Sequence, residues 1–157
     1  MPEKQKIERL VFETYLTVIN NSVGSKMFRN FYMKVSGKKT DVMKNGGLSC
    51  AFFVSSVLAI FGFIKGIHGT VEGTVRDLKK SGWKEIKKPR IGSVLVWEEK
   101  IDKSGEAHKH IGFYIGNDMA ISNSSKQKAP AAHQWEFNGK RKIKIILWNE
   151  KYLNKPR

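Results

Sequence analysis

The chain holds a single cysteine, Cys50, and four histidines, His68, His108, His110 and His133. A thiol attacks a carbonyl carbon as the thiolate, and it needs a base within hydrogen-bond reach to take its proton. Cys50 follows the turn signal Asn45-Gly46-Gly47 and opens the uncharged stretch AFFVSSVLAIFGFI. The spacing predicts that it lies in the first turn of a helix, where unpaired N–H groups and the helix dipole favour negative charge. The plainer reading is a small apolar residue entering a core, the commoner fate of a lone cysteine.

Of the four candidate bases, His68 lies beyond the far end of the predicted helix, about 27 Å away if every intervening step is helical. His108 sits in the charged loop KIDKSGEAHK and reads as solvated. His110 opens the strand HIGFYIG, in which Ile111, Phe113 and Ile115 alternate with His110, Gly112 and Tyr114. Alternation sets His110 opposite the aliphatic face, beside a glycine that leaves room for a neighbour.

Elements must hold these two groups in place. Ile7, Leu10, Val11, Tyr15 and Val18 recur at helical spacing, so residues 1–40 are expected to form a helical extension packed on a core of residues 45–150. VSGKK and KNGG mark turns, residues 48–64 read as a central helix, and HGTVEGTVRDLKKSGW reads as an amphipathic helix ending at Ser81-Gly82. After KKPRIG the pattern becomes one of strands: VLVWE at 94–98, HIGFYIG with MAIS as a hairpin around Gly116-Asn117-Asp118, and KIKIILW. Helices first and antiparallel strands after them predict one α+β domain.

The 157 residues suit one domain, and the net charge of +15 favours an anionic partner such as a wall polymer, a nucleic acid or a membrane surface. One cysteine excludes an intrachain disulfide and CxxC metal clusters. Leu48 to Ile64 is 17 residues without a charge, short of the about 20 that a membrane span needs, and its serines and glycine favour a buried helix. The N-terminus intersperses charges with its apolar residues and lacks the apolar core of a signal peptide, so synthesis in the cytoplasm is expected, with any action at a wall reached by injection, phage lysis or non-standard export. The four tryptophans read as packing residues, and the clusters KKSGWKEIKKPR and GKRKIKIILW have the composition of a nucleic-acid surface without any module signature.

In order, SCAFFVSSVL, IGSVLVWEE and HIGFYIGNDMAIS resemble the three signatures of the NlpC-type peptidoglycan cysteine peptidases, a papain-like superfamily, over roughly residues 45 to 125. The family pattern is Asp-Cys-Ser-Gly-Phe-Val opening a helix, Pro-Gly-Asp-Leu starting a strand, and His-Val-Gly-Ile-Tyr-x-Gly followed by a third polar residue. The resemblance implies a papain-like fold, Cys50 as nucleophile, His110 as base, and a third residue about twelve positions on, at Ser122. It also implies a peptidoglycan stem peptide as substrate. The chain departs from the pattern at Ser49, at Ala51-Phe52 and at Ser93, which changes the shape expected of the substrate cleft.

Strand pairing bears on the third residue independently. A three-residue turn at Gly116–Asp118 pairs Phe113 with Ile121 and brings Ser122 to the face of His110. A two-residue turn at Asn117-Asp118 brings Asn123 there instead, and an amide carbonyl orients an imidazole well. His133 is a further candidate if its loop folds back. The mechanism implied is hydrolysis of an amide through an acyl-enzyme, with the Cys50 N–H as an oxyanion donor and with neither metal nor cofactor. The same residues serve thiol acyl transfer or isopeptide hydrolysis, and an inert cysteine in a basic nucleic-acid-binding protein is the non-enzymatic alternative.

Overall fold

The computed structural model describes residues 1–154 and is an α+β fold with helices packed on an antiparallel sheet. Helix α1 (Val11–Asn21) is followed by strands β1 (Tyr32–Val35) and β2 (Lys38–Asp41), then by helices α2 (Cys50–Ile60) and α3 (Val71–Lys80). Strands β3 (Lys84–Glu85), β4 (Val94–Ile101), β5 (Ala107–Gly116), β6 (Met119–Ser124), β7 (Ala129–Gln134) and β8 (Ile143–Trp148) come next, and α4 (Glu150–Leu153) ends the described chain. The six later strands form one sheet in the order β3-β8-β4-β5-β6-β7.

The N-terminal segment differs from the expected helical extension. Residues 1–10 adopt no helix or strand, and Ile7 is 85% exposed, because no part of the core reaches it. Tyr15 and Ile19, one helical turn apart, are the residues of α1 that are fully buried, and the Tyr15 hydroxyl donates to the Gly92 carbonyl at 2.8 Å. Residues 32–41 form a two-stranded hairpin, since Ser36 and Gly37 both take positive φ and supply the two-residue turn. Asp41 then ties the hairpin base to the next turn, its carboxylate accepting from the backbone N–H groups of Phe31, Met43 and Asn45.

Alternation along the strands separates two faces. Val94, Val96, Ile111, Phe113, Ile121 and Leu147 meet Phe53, Val54 and Val57 of α2 in the main core. Leu95, Trp97 and Ala120 face the other way, covered by Tyr114, Trp135, Phe137 and Ile146. Helix α2 is uncharged because nearly every side of it is covered, which is also why its sequence resembles a short membrane span. No helix among the described residues is long and apolar enough to cross a membrane.

The middle of α2 is fixed through the loop that follows it. Ser55 accepts from the His68 N–H at 2.9 Å, and His68 Nε2 lies 2.7 Å from Asp77 of α3. Burial alone raises the Asp77 carboxyl, but hydrogen bonds from His68, Lys65, Gly66 and Ser81 outweigh it and hold the group at about 2. The chain thus folds His68 back onto Ser55 in the middle of α2, not beyond its far end as the spacing suggested, and Asp77 takes up its ring as a structural partner.

Because the folded pKa of Asp77 lies below its unfolded value, its contribution to stability is complete above pH ~4 and is lost as pH falls towards 2. Asp77→Ala is expected to cost about 3 kcal/mol at neutral pH, since it strands two loop N–H groups and His68. The measurement is the urea midpoint at pH 7 and at pH 3, where the gap between wild type and variant narrows.

Candidate active site

Cys50 reaches the sheet through two consecutive constraints on the turn before it. Lys44, Asn45 and Gly46 all have positive φ, and a Cβ on Gly46 would stand 2.7 Å from the Lys128 carbonyl. Only glycine meets both demands. The Gly46 carbonyl accepts from Asn123 Nδ2 at 2.8 Å, so β6 grips the turn that delivers the cysteine. Asn123 thus anchors the backbone ahead of Cys50 and forms no hydrogen bond with His110, which corrects the expectation that it orients the imidazole. Its amide lies on the face opposite Ser122 because neighbouring residues of a strand alternate. Its Oδ1, like Ser49 Oγ, is buried without a partner among the described residues.

The β5–β6 hairpin combines both expected turns. Asn117 and Asp118 form a two-residue turn with positive φ at both positions, pairing Gly116 with Met119. A bulge between Tyr114 and Gly116 absorbs Ile115, so Phe113 pairs with Ile121 and Gly112 with Ser122, the register of the longer turn. A Cβ on Gly112 would lie 2.7 Å from Ser122 Cβ and 3.0 Å from Trp97, so glycine is the residue that lets these groups close up.

Across β5, β6 and β7, His110, Ser122 and His133 form a line. His110 Nε2 is 2.8 Å from Ser122 Oγ, Ser122 Oγ is 2.7 Å from His133 Nε2, and His133 Nδ1 is 2.8 Å from the Gln134 carbonyl. A carbonyl only accepts, so His133 carries its proton on Nδ1 and accepts on Nε2. The Ser122 hydroxyl donates to that nitrogen and accepts from the N–H at His110 Nε2. Neutral His110 is left with an unprotonated Nδ1, which has no hydrogen-bond partner among the described residues and is the atom able to take a proton. Sequence reasoning set Ser122 and His133 as alternatives, and the structure uses both.

Aromatic rings hold this line. Phe137 stacks on His133 with centroids 4.0 Å apart, and Trp97 lies 5.2 Å from His110, its own N–H donated to the Trp135 carbonyl. Trp97 is fully buried and packs against the imidazole.

Cys50, His110, Ser122 and His133 line one cleft of about 720 Å³, bounded by the start of α3, the end of the β4–β5 hairpin and the β6–β7 turn. Burial pushes the Cys50 thiol up, and the N–H groups of Ile111 and Ala51 together with the Arg141 charge only partly offset it. The helix-terminus effect expected from position alone is therefore outweighed, and the resting thiol is protonated. Burial, then the charges of Arg141 and His133, pushes His110 down to about 3. At rest the thiol and the imidazole are both neutral, and burial makes His110 a weak base until a charge or a substrate changes its surroundings. Arg141 is a residue that sequence reasoning passed over, because it lay inside a basic cluster, GKRKIK, with nothing to single it out. His108 is part-buried on β5 and its Nε2 lies 2.9 Å from Asp102 Oδ2, so a carboxylate holds it where solvation was expected.

The depressed His110 has a definite consequence for pH. In the unfolded chain it titrates near about 6.5, so stability is complete above that pH and is lost progressively as pH falls towards about 3. His110→Gln is expected to flatten the stability profile between pH 6.5 and 4, as measured by denaturant unfolding at each pH. An unchanged slope would contradict a neutral, part-buried imidazole. Comparison with protein-family models and with curated proteins gave no match for this chain.

Proposed function

We propose that the protein is a cysteine amidohydrolase of the papain-like, NlpC type, with Cys50 as nucleophile and His110 as base. The observation that carries this reading is the proton chain from the Gln134 carbonyl through His133 and Ser122 to His110, which leaves one basic nitrogen in the cleft that holds the cysteine.

The steps follow from the resting protonation. As the Cys50 sulfur adds to the amide carbon, its proton passes to His110 Nδ1, and the new imidazolium is stabilised through its Nε2–H by Ser122. The oxygen of the tetrahedral intermediate is set against the Cys50 N–H at the start of α2, where backbone donors and the helix dipole converge. His110 returns the proton to the leaving nitrogen. Water, deprotonated by His110 Nδ1, then attacks the thioester, and the acid leaves as the Cys50 sulfur takes that proton back from the imidazolium. His133 supports the imidazolium one step further away, since the Ser122 hydroxyl that accepts from His110 is held by donating to His133.

The substrate class we favour is the stem peptide of peptidoglycan, a reading supported by the order and spacing of the three motifs and by the charge of +15, which suits an anionic wall. Purified sacculi incubated with the wild type are expected to release peptides with new amino termini, identified by mass, and Cys50→Ala is expected to release none. Ser122→Ala should lower kcat by about 10- to 100-fold with little change in KM, because it frees the His110 tautomer without touching the substrate. Binding of Cys50→Ala to sacculi should weaken as salt rises. Intact sacculi after wild-type treatment would sink the substrate assignment.

A further inference from the structure

Arg141 lines the same cleft as Cys50 and His110 and is half-buried there. It lies between β7 and β8, and its side chain is fastened at two points. Nε donates to the Glu98 carbonyl at 2.9 Å and Nη2 donates to the His108 carbonyl at 2.8 Å. Those carbonyls flank the irregularity between Trp97 and Lys100, where the β4–β5 ladder is interrupted. The guanidinium plane is thereby held by backbone alone.

A guanidinium carries five N–H donors. After the two backbone bonds, both N–H groups of Nη1 and the second of Nη2 have no partner among the described residues. None of the ion pairs in the described chain involves Arg141. A partly desolvated cation held rigid without a counterion is costly unless an anion comes to it. Its charge already bears on both members of the pair, opposing the effect of burial at Cys50 and adding to it at His110.

We propose that Arg141 is the carboxylate-binding residue of the cleft, and that the amides taken by this site carry a free carboxylate close to the scissile bond. A fixed fork with parallel N–H groups matches the two oxygens of a carboxylate, whereas a lysine presents a point charge. The inference rests on the amidohydrolase reading for what is cleaved, and on Arg141 alone for what is bound.

Two alkylating reagents of nearly equal size test it without any knowledge of the substrate. Iodoacetate carries its carboxylate next to the reacting carbon, and iodoacetamide is its neutral counterpart. The ratio of Cys50 alkylation rates, iodoacetate to iodoacetamide, is expected to fall by about tenfold in Arg141→Gln at constant ionic strength. Arg141→Lys should retain part of the preference, and Lys38→Gln, on the distant hairpin, should leave it unchanged. A ratio unmoved in Arg141→Gln, or lowered equally by Lys38→Gln, overturns the proposal.

A second arm uses Cys50→Ala and NMR titration with N-acetyl-γ-glutamyl-alaninamide and its α-carboxamide counterpart. The carboxylate form should bind about tenfold more tightly, and adding Arg141→Gln should erase the difference. Equal affinities overturn the carboxylate site. A Cys50 inert to both reagents, with carboxylate selectivity retained in the second arm, overturns the catalytic reading and leaves the Arg141 site standing. A reactive Cys50 without selectivity in either arm does the reverse.

Discussion

The Ser122 hydroxyl, shared between two imidazoles, is the interaction on which the organisation of the site depends. One hydroxyl has one proton to give, and the Gln134 carbonyl at the end of the line decides which way it points. Three strands must be adjacent and in register for that decision to reach His110. Gly112 must lack a side chain, and Trp97 and Phe137 must hold the rings. The chain carries no charge at rest. Its members can therefore be buried without the desolvation penalty that an aspartate in the same position would bring.

Two supports, independent in sequence, meet at the cleft. Helix α2 is driven into the core by its apolar faces and is pinned at its middle by Ser55, His68 and Asp77 and in front by Gly46. The sheet brings the imidazoles of His110 and His133. Several charged side chains line the cleft, and Arg141 is the cation whose charge acts on both the thiol and the imidazole. The electrostatics of the site are thus set by burial, with one fixed positive group as the exception.

Much of this was legible in the sequence, and the misses have physical causes. Periodicity revealed α2, α3, β4, β5, β6 and β8 because burial imposes it, whereas β1, β2, β3 and β7 carry no such pattern and β7 read as a loop around His133. Helical spacing at Ile7 and Leu10 misled, since spacing says which residues share a face and not whether anything covers that face. The choice between Ser122 and Asn123 turned on a bulge at Ile115, for which two opposite strands must be seen together. Arg141 was invisible because its meaning lies in two carbonyls more than thirty residues away.

That bulge gives the hairpin loop a significance beyond its length. In a strand pair, a shift of one residue exchanges the two faces, so the count of residues between Phe113 and Ile121 decides whether a hydroxyl or an amide stands near His110. Loops are ordinarily where a lineage tolerates insertions and deletions. Here a single-residue length change would act as a substitution at the heart of the site while leaving every site residue's identity intact. Loop length, normally a free variable, is in this hairpin tied to which side chain stands beside His110.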